Sequence, residues 1–126
     1  MDWKARSSVA LATEVEQFGI KITVVEPGFF RTDLLDARNV KYAQSSIADY
    51  GHEGPAEAMW SPYDGKQPGD PDKFGLALVQ LARMAAPPKV FVAGRDGIDL
   101  IRPVIEGRLQ DMRDHEALSS STAIDA

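Results

Sequence analysis

From Trp3 to about Phe18, apolar residues recur at three-residue spacing as Val9, Ala12, Val15 and Phe18, with Glu14, Glu16 and Gln17 on the opposite side. That spacing predicts an amphipathic helix, and Gly19 suits its carboxyl end. The period then drops to two. Ile20, Ile22 and Val24 alternate with Lys21 and Thr23, and β-branched residues dominate, so Ile20 to Glu26 reads as a strand. Val25 breaks the alternation, which predicts apolar contact on both faces near the far end, as in a parallel strand of an α/β sheet. Pro27 has no N–H and ends the strand, and Gly28 lets the backbone turn or approach another group closely.

Residues 33–69 keep no period and hold Gly51, Gly54, Pro55, Pro62, Gly65, Pro68 and Gly69. They read as an irregular insertion, with Thr32 or Asp33 capping a short helix through Leu34 and Leu35 and a second short helix over Ala56 to Trp60. The insertion carries Tyr42, Tyr50, His52, Met59, Trp60 and Tyr63. Groups of this kind on a long loop wall a substrate pocket or anchor the loop to the core, and the two roles are compatible. The next helix is the most clearly marked: Asp70 as cap, Pro71 in the first turn, then Phe74, Ala77, Leu78, Leu81, Ala82 and Ala85 on one face, stopped by Pro87 and Pro88. Lys89 to Ala93 is a second short apolar strand, closed by Gly94. Strand, helix and strand form a βαβ unit, expected to be parallel and right-handed. A last helix is expected from about Ile98 to Leu118, with Ile98, Ile101, Ile105, Leu109 and Met112 as its stripe. Pro103 favours a start nearer Asp99, where the proline falls in the first turn, and residues 119–126 are expected to fray.

The fold class is therefore α/β, one domain over residues 1–126, in the order helix, strand, irregular loop, helix, strand, helix around a small parallel sheet. Apolar residues at 44% and charged residues at 26% suit a soluble globular chain rather than a disordered one. A net charge of −5 without a basic run argues against nucleic acid and anionic membranes as partners. With no cysteine there is neither a disulfide nor a thiolate metal site, and His52 and His115 stand far apart without partners at metal spacing, so no metal is expected. No apolar run approaches the ~18 residues of a membrane span. Asp2, Lys4 and Arg6 interrupt any leader-like core, and a cytoplasmic location is expected. Ligands of open α/β sheets bind beyond the carboxyl ends of strands, which makes Pro27 to Thr32 the first candidate site.

The segment ATEVEQFGIKITVVEPGFFRTDLL resembles the later half of the short-chain dehydrogenase/reductase family, in which a helix ending near F-G-I leads into a strand, V-x-P-G and a threonine. DGKQPGDPDK, followed by a helix, PP and a short strand, also resembles the later part of many members. The resemblance is tight from about Ala10 to Leu35 and from Asp64 to Gly94. It implies a partial Rossmann-like fold and NAD or NADP as cofactor. By resemblance, Pro27, Gly28, Phe29, Phe30 and Thr32 border the nicotinamide, with Thr32 bonding its carboxamide or a phosphate. Leu34, Leu35, Tyr42, Tyr50, Met59 and Trp60 would lie in the substrate loop.

Two family features have no counterpart in this sequence. There is no glycine-rich turn between a strand and a helix to hold a pyrophosphate. No tyrosine has lysine four residues on: Tyr42 is followed by Ser46, Tyr50 by Gly54 and Tyr63 by Gln67. Counted back from Phe18–Gly19–Ile20, the family's lysine falls at about Met1, so no catalytic residue is assigned. The expectation is a carboxyl-terminal portion of an oxidoreductase on alcohol or carbonyl substrates, inactive alone, that associates with itself, a complementary half or a full-length relative. The rivals are a non-enzymatic assembly module and a small ligand-binding domain built on the same half-fold.

Overall fold

The structure, a computed structural model, describes residues 3–43 and 55–124. Helix α1 spans Trp3–Val15 and tightens into a 3₁₀ turn over Glu16–Phe18. Gly19 closes it at φ 72°, a left-handed conformation that glycine adopts without a Cβ penalty, with its N–H on the Glu16 carbonyl at 2.9 Å. Val9, Ala12 and Val15 are half-buried as the spacing predicts, but Phe18 is 71% exposed because the 3₁₀ turn rotates it off that face.

Strand β1 is Val24–Pro27 and β2 is Val90–Ala93; they pair in parallel, Val24 opposite Val90 and Pro27 opposite Ala93. The expected strand from Ile20 is thus four residues too long at its start. In this register Ile22 and Lys21 would face Pro88 and Pro87, which have no N–H to give to a ladder. Side chains replace the missing bonds: the Thr23 hydroxyl donates to the Pro88 carbonyl at 2.8 Å, and Lys21 Nζ donates to the Ala85 carbonyl. β2 likewise starts at Val90 rather than Lys89, although the Lys89 carbonyl still accepts from the Val24 N–H at 2.9 Å.

Among the described residues, short helical turns over Asp33–Leu35, Ala56–Trp60 (α2) and Ser61–Tyr63 lie within the insertion. Helix α3, Pro71–Arg83, begins as its sequence predicts: the Asp70 carboxylate accepts from the Asp72 and Lys73 N–H groups at 2.9 and 3.2 Å. It ends at Arg83, short of Ala85, with Met84 already extended ahead of Pro87 and Pro88. Helix α4, Arg95–Asp114, starts three residues before Ile98, since Ile98 already donates to the Gly94 carbonyl at 3.1 Å. Pro103 therefore lies inside α4 and not in its first turn; it is exposed, so water can serve the Asp99 carbonyl that loses its donor. His115 interrupts the helix, and α5, Glu116–Ser120, follows, with Ser121 and Thr122 hydroxyls on the Leu118 and Ser119 carbonyls.

The result is α/β: a two-stranded parallel sheet and five helices among the described residues. Its core is thin. Leu81 and Ala93, 7% and 4% exposed, are the buried hydrophobic residues among those described, while Leu100, Val104, Ile105 and Met112 on α4 stand largely in solvent. Val92 of β2 and Ile98, Ile101 and Ile105 of α4 line an unfilled apolar groove of about 270 Å³.

Candidate functional site

Two parallel strands end side by side, so the segments that follow them, Gly28–Thr32 and Gly94–Gly97, leave the same end of the sheet. The Gly28 N–H carries the ladder one step further, onto the Ala93 carbonyl at 2.7 Å. Three separate parts of the chain then hold the loop after β1.

The first is the turn ahead of α3. Phe30 and Gly69 form an isolated parallel bridge, with Arg31 N–H on the Gly69 carbonyl at 2.8 Å and Gly69 N–H on the Phe29 carbonyl at 2.9 Å. A Cβ on Gly69 would sit 2.6 Å from Phe30 Cδ1 and 2.7 Å from the Phe29 oxygen, so the approach needs glycine. Arg31 Nε and Nη2 both donate to the Gln67 carbonyl, at 3.2 and 3.0 Å, and Phe30 stacks on Phe74 of α3 at 4.4 Å between centroids. The second is the amino end of α4, where the Asp96 carboxylate accepts the Phe29 N–H at 2.6 Å. The third is aromatic. The Phe29 ring stacks on Trp60 at 5.7 Å and 17°, and meets Tyr63 edge-on at 6.0 Å.

The residues predicted for the site are thus brought together in part. Pro27, Gly28, Phe29, Phe30 and Thr32 form one loop, and Trp60 joins it through Phe29. Leu35 and Tyr42 are half-buried, Leu34 is 72% exposed, and Met59 is exposed on α2. Tyr50 lies outside the described residues. Thr32 does occupy the N-cap position of the Asp33–Leu35 turn, but its hydroxyl makes no cap hydrogen bond, so the capping role expected of it does not hold. The turn is held instead from its far end, where Asn39 Nδ2 donates to the Asp33 carbonyl at 2.8 Å, and just beyond it Arg38 Nε, Nη2 and backbone N–H all bond the Asp36 carboxylate at 2.6–2.9 Å. Those side-chain bonds first, then the backbone bond, lower the Asp36 pKa to about 2.

Sequence reasoning missed Asp96, Gly69, Tyr63 as a loop partner, and Arg31. Only Asp96 left a local trace, an acidic residue in the first turn of a helix immediately after a strand and a glycine. The others act across long separations in the chain, with no period to reveal them. Gln67 is buried at 2% exposure, and among the described residues neither its side-chain oxygen nor the Tyr42 hydroxyl has a hydrogen-bond partner. No cluster of three or more His, Asp or Glu with metal geometry occurs among the described residues, and no described helix is long and apolar enough to cross a membrane.

This is a parallel α/β unit with an elaborated loop at the carboxyl end of its sheet. It is similar to part of a short-chain dehydrogenase. A short-chain dehydrogenase from Streptomyces avermitilis superposes with a TM-score of 0.72 and 28% identity, over 94% of this chain and 42% of that one. An uncharacterized oxidoreductase of Schizosaccharomyces pombe is 31% identical over 108 residues, 86% of this chain and 36% of the relative. The chain thus spans less than half the length of both proteins, and no family model matches it. The short-chain dehydrogenase/reductase resemblance, tight from about Ala10 to Leu35 and from Asp64 to Gly94, is supported by both the sequence relative and the solved structure.

Proposed function

We propose that this chain is the carboxyl-terminal portion of an NAD(P)-dependent short-chain dehydrogenase/reductase acting on alcohol or carbonyl substrates, and that it is inactive alone. The observation that carries the reading is the loop itself: Gly28–Thr32 is fixed from three sides at the sheet end where such folds bind ligands, more firmly than a connecting loop requires. The residues fit one wall of a nicotinamide site. The N–H groups of Gly28, Phe29, Arg31 and Thr32 are all engaged within the chain, so the backbone of this loop is not an anion cradle. The exposed Thr32 side chain, with no cap bond to hold it, is the group suited to a carboxamide. The cofactor would supply the hydride; Pro27, Gly28 and Phe30 would limit how its ring can lie, and Phe29 with Trp60 and Tyr63 would wall the substrate side.

Inactivity follows from what hydride transfer needs. A positioned acid–base group typically contributes about 10²–10⁴-fold, and the sequence has no tyrosine–lysine pair and no phosphate cradle to hold the reactant. The uncovered apolar face of α4 and the groove under it favour association with a complementary half, a full-length relative or a second copy. That same surface is the observation behind the assembly-module alternative.

Titration of NADH and NADPH by fluorescence, then an absorbance assay over a panel of ketones and alcohols, tests the reading. Binding no tighter than ~1 mM, about −4 kcal/mol, and no turnover are expected of the chain alone. Saturable micromolar binding or steady cofactor oxidation would show a complete site and refute the inactivity. In a protein that joins this chain to a glycine-rich turn and a Tyr-x-x-x-Lys segment, Thr32→Ala should weaken cofactor binding by ~1 kcal/mol, one net hydrogen bond. Unchanged binding there would remove Thr32 from the site.

A further inference from the structure

We propose that Asp96 is the positioning residue of the Gly28–Thr32 loop. Its carboxylate takes the Phe29 N–H at 2.6 Å and fills the space where side chains on two glycines would otherwise stand. A Cβ on Gly28 would lie 2.5–2.7 Å from the Asp96 carboxylate atoms, and one on Gly94 would lie 2.7 Å from Oδ1. A Cβ on the following residue, Gly97, would lie 3.2 Å from the Gly28 nitrogen. Gly28 and Gly94, one beyond each strand, thus make room for one carboxylate, Gly97 lets the start of α4 approach Gly28, and that carboxylate ties the start of α4 to the backbone of the loop. Through Phe29 the constraint reaches the ring stack with Trp60, 31 residues further along the chain. Asp96 therefore sets the place of both the Pro27–Thr32 segment and the aromatic group beside it. That this loop faces a nicotinamide rests on the function proposed above; that Asp96 holds it does not.

An acidic residue in a first helical turn has a simpler role, its charge opposing the positive end of the helix dipole. The two roles respond to substitution in opposite ways. Asp96→Glu would keep the charge, but its longer side chain would carry the carboxylate out of the space that the missing side chains of Gly28 and Gly94 leave for it. Asp96→Asn keeps the length and a carbonyl acceptor for Phe29 and loses the charge.

The experiment is amide hydrogen exchange on the full chain, resolved to single residues by fragmentation mass spectrometry, for Asp96→Ala, Asp96→Asn and Asp96→Glu. Ala77 within α3 serves as the reference for global opening. The Phe29 amide should exchange about tenfold faster or more relative to Ala77 in the Ala and Glu variants, and within about threefold of the parent in the Asn variant. Near-ultraviolet circular dichroism from the Phe29–Trp60 stack should fall in the Ala and Glu variants and be retained in Asn. Rescue by Glu and not by Asn would assign Asp96 to the helix dipole and overturn the proposal. Equal acceleration of Phe29 and Ala77 in all three variants would overturn it as well, by assigning Asp96 to global stability. Neither readout contains cofactor, so failure here leaves the dehydrogenase reading standing, and failure of cofactor binding leaves this result untouched.

Discussion

Among the described residues three glycines sit inside helices, and the structure separates them sharply. A methyl at Gly75 of α3 or Gly107 of α4 would meet nothing within 4 Å, whereas at Gly97 it would lie 3.2 Å from the Gly28 nitrogen and 3.3 Å from the Gly28 Cα and Val92 Cγ1. Alanine is favoured over glycine in a helix interior by about 0.8–1.0 kcal/mol. Gly75→Ala and Gly107→Ala should each stabilise the chain by about that amount. They lie on different helices with no shared contact, so the double variant should gain ~2 kcal/mol. With a urea slope of about 2 kcal/mol per molar, that moves the midpoint by about 1 M. At Gly97 the helical gain is smaller, because the residue is in the first turn of α4. It is opposed by overpacking, typically 1–3 kcal/mol, against a backbone that the Gly28–Ala93 hydrogen bond at 2.7 Å holds in place. Overpacking wins, and Gly97→Ala should lower stability by ~1 kcal/mol. The assay is urea unfolding followed by circular dichroism at one fixed protein concentration, since self-association would shift the midpoint by mass action. A stabilising Gly97→Ala, or a destabilising change at Gly75 or Gly107, would refute the packing argument.

Two further outcomes follow from single interactions. Asp70→Ala removes the acceptor for two amide groups of α3 and should cost ~1 kcal/mol in the same urea experiment, with Asp70→Asn costing much less; equal effects would mean that charge, not capping, is what matters. The Asp36 pKa is lowered from 3.8 to about 2 by Arg38, so its contribution to stability is present above the unfolded value and is lost as the pH falls from about 4 through about 2. Carbon-detected titration of the Asp36 carboxyl should show its inflection near 2 and move up towards the ordinary carboxylate range in Arg38→Ala, and added salt should shrink the difference because Arg38 is 82% exposed.

What could be read from the sequence is what is local. α3 carries its own start signal in Asp70–Pro71–Asp72 and an unbroken apolar face, and it folds where those residues put it, ending early only because the extended backbone ahead of Pro87–Pro88 begins at Met84. The strand core Val24–Glu26 likewise follows from its β-branched run. The start of β1 was not legible, because pairing depends on the partner as much as on the strand: Ile20–Thr23 have strand-like residues but face two prolines that cannot complete the ladder. The start of α4 lies three residues before the expected Ile98 for a related reason. The Gly94 carbonyl accepts from Ile98 and nucleates the helix early, while Pro103, which pattern reasoning would push into the first turn, is tolerated on the exposed side.

The site divides in the same way. Its central segment is legible because a strand, a proline and a glycine occur consecutively, and because the fold class makes that strand end a binding place. Most of the parts that fix the segment are not, since Gly69, Asp96 and Tyr63 reach it from separate elements and none stands in a repeating pattern. This changes the meaning of Gly28. Read locally, a glycine beyond a strand makes a turn or admits a ligand. In the fold, the space beside its Cα is already occupied from within the protein by the Asp96 carboxylate and by the close approach of the next residue, Gly97. Its missing side chain is required before any ligand arrives, so glycine at this position supports a close-packed loop first, and whatever the loop does for a cofactor is done by the atoms that packing leaves facing outward.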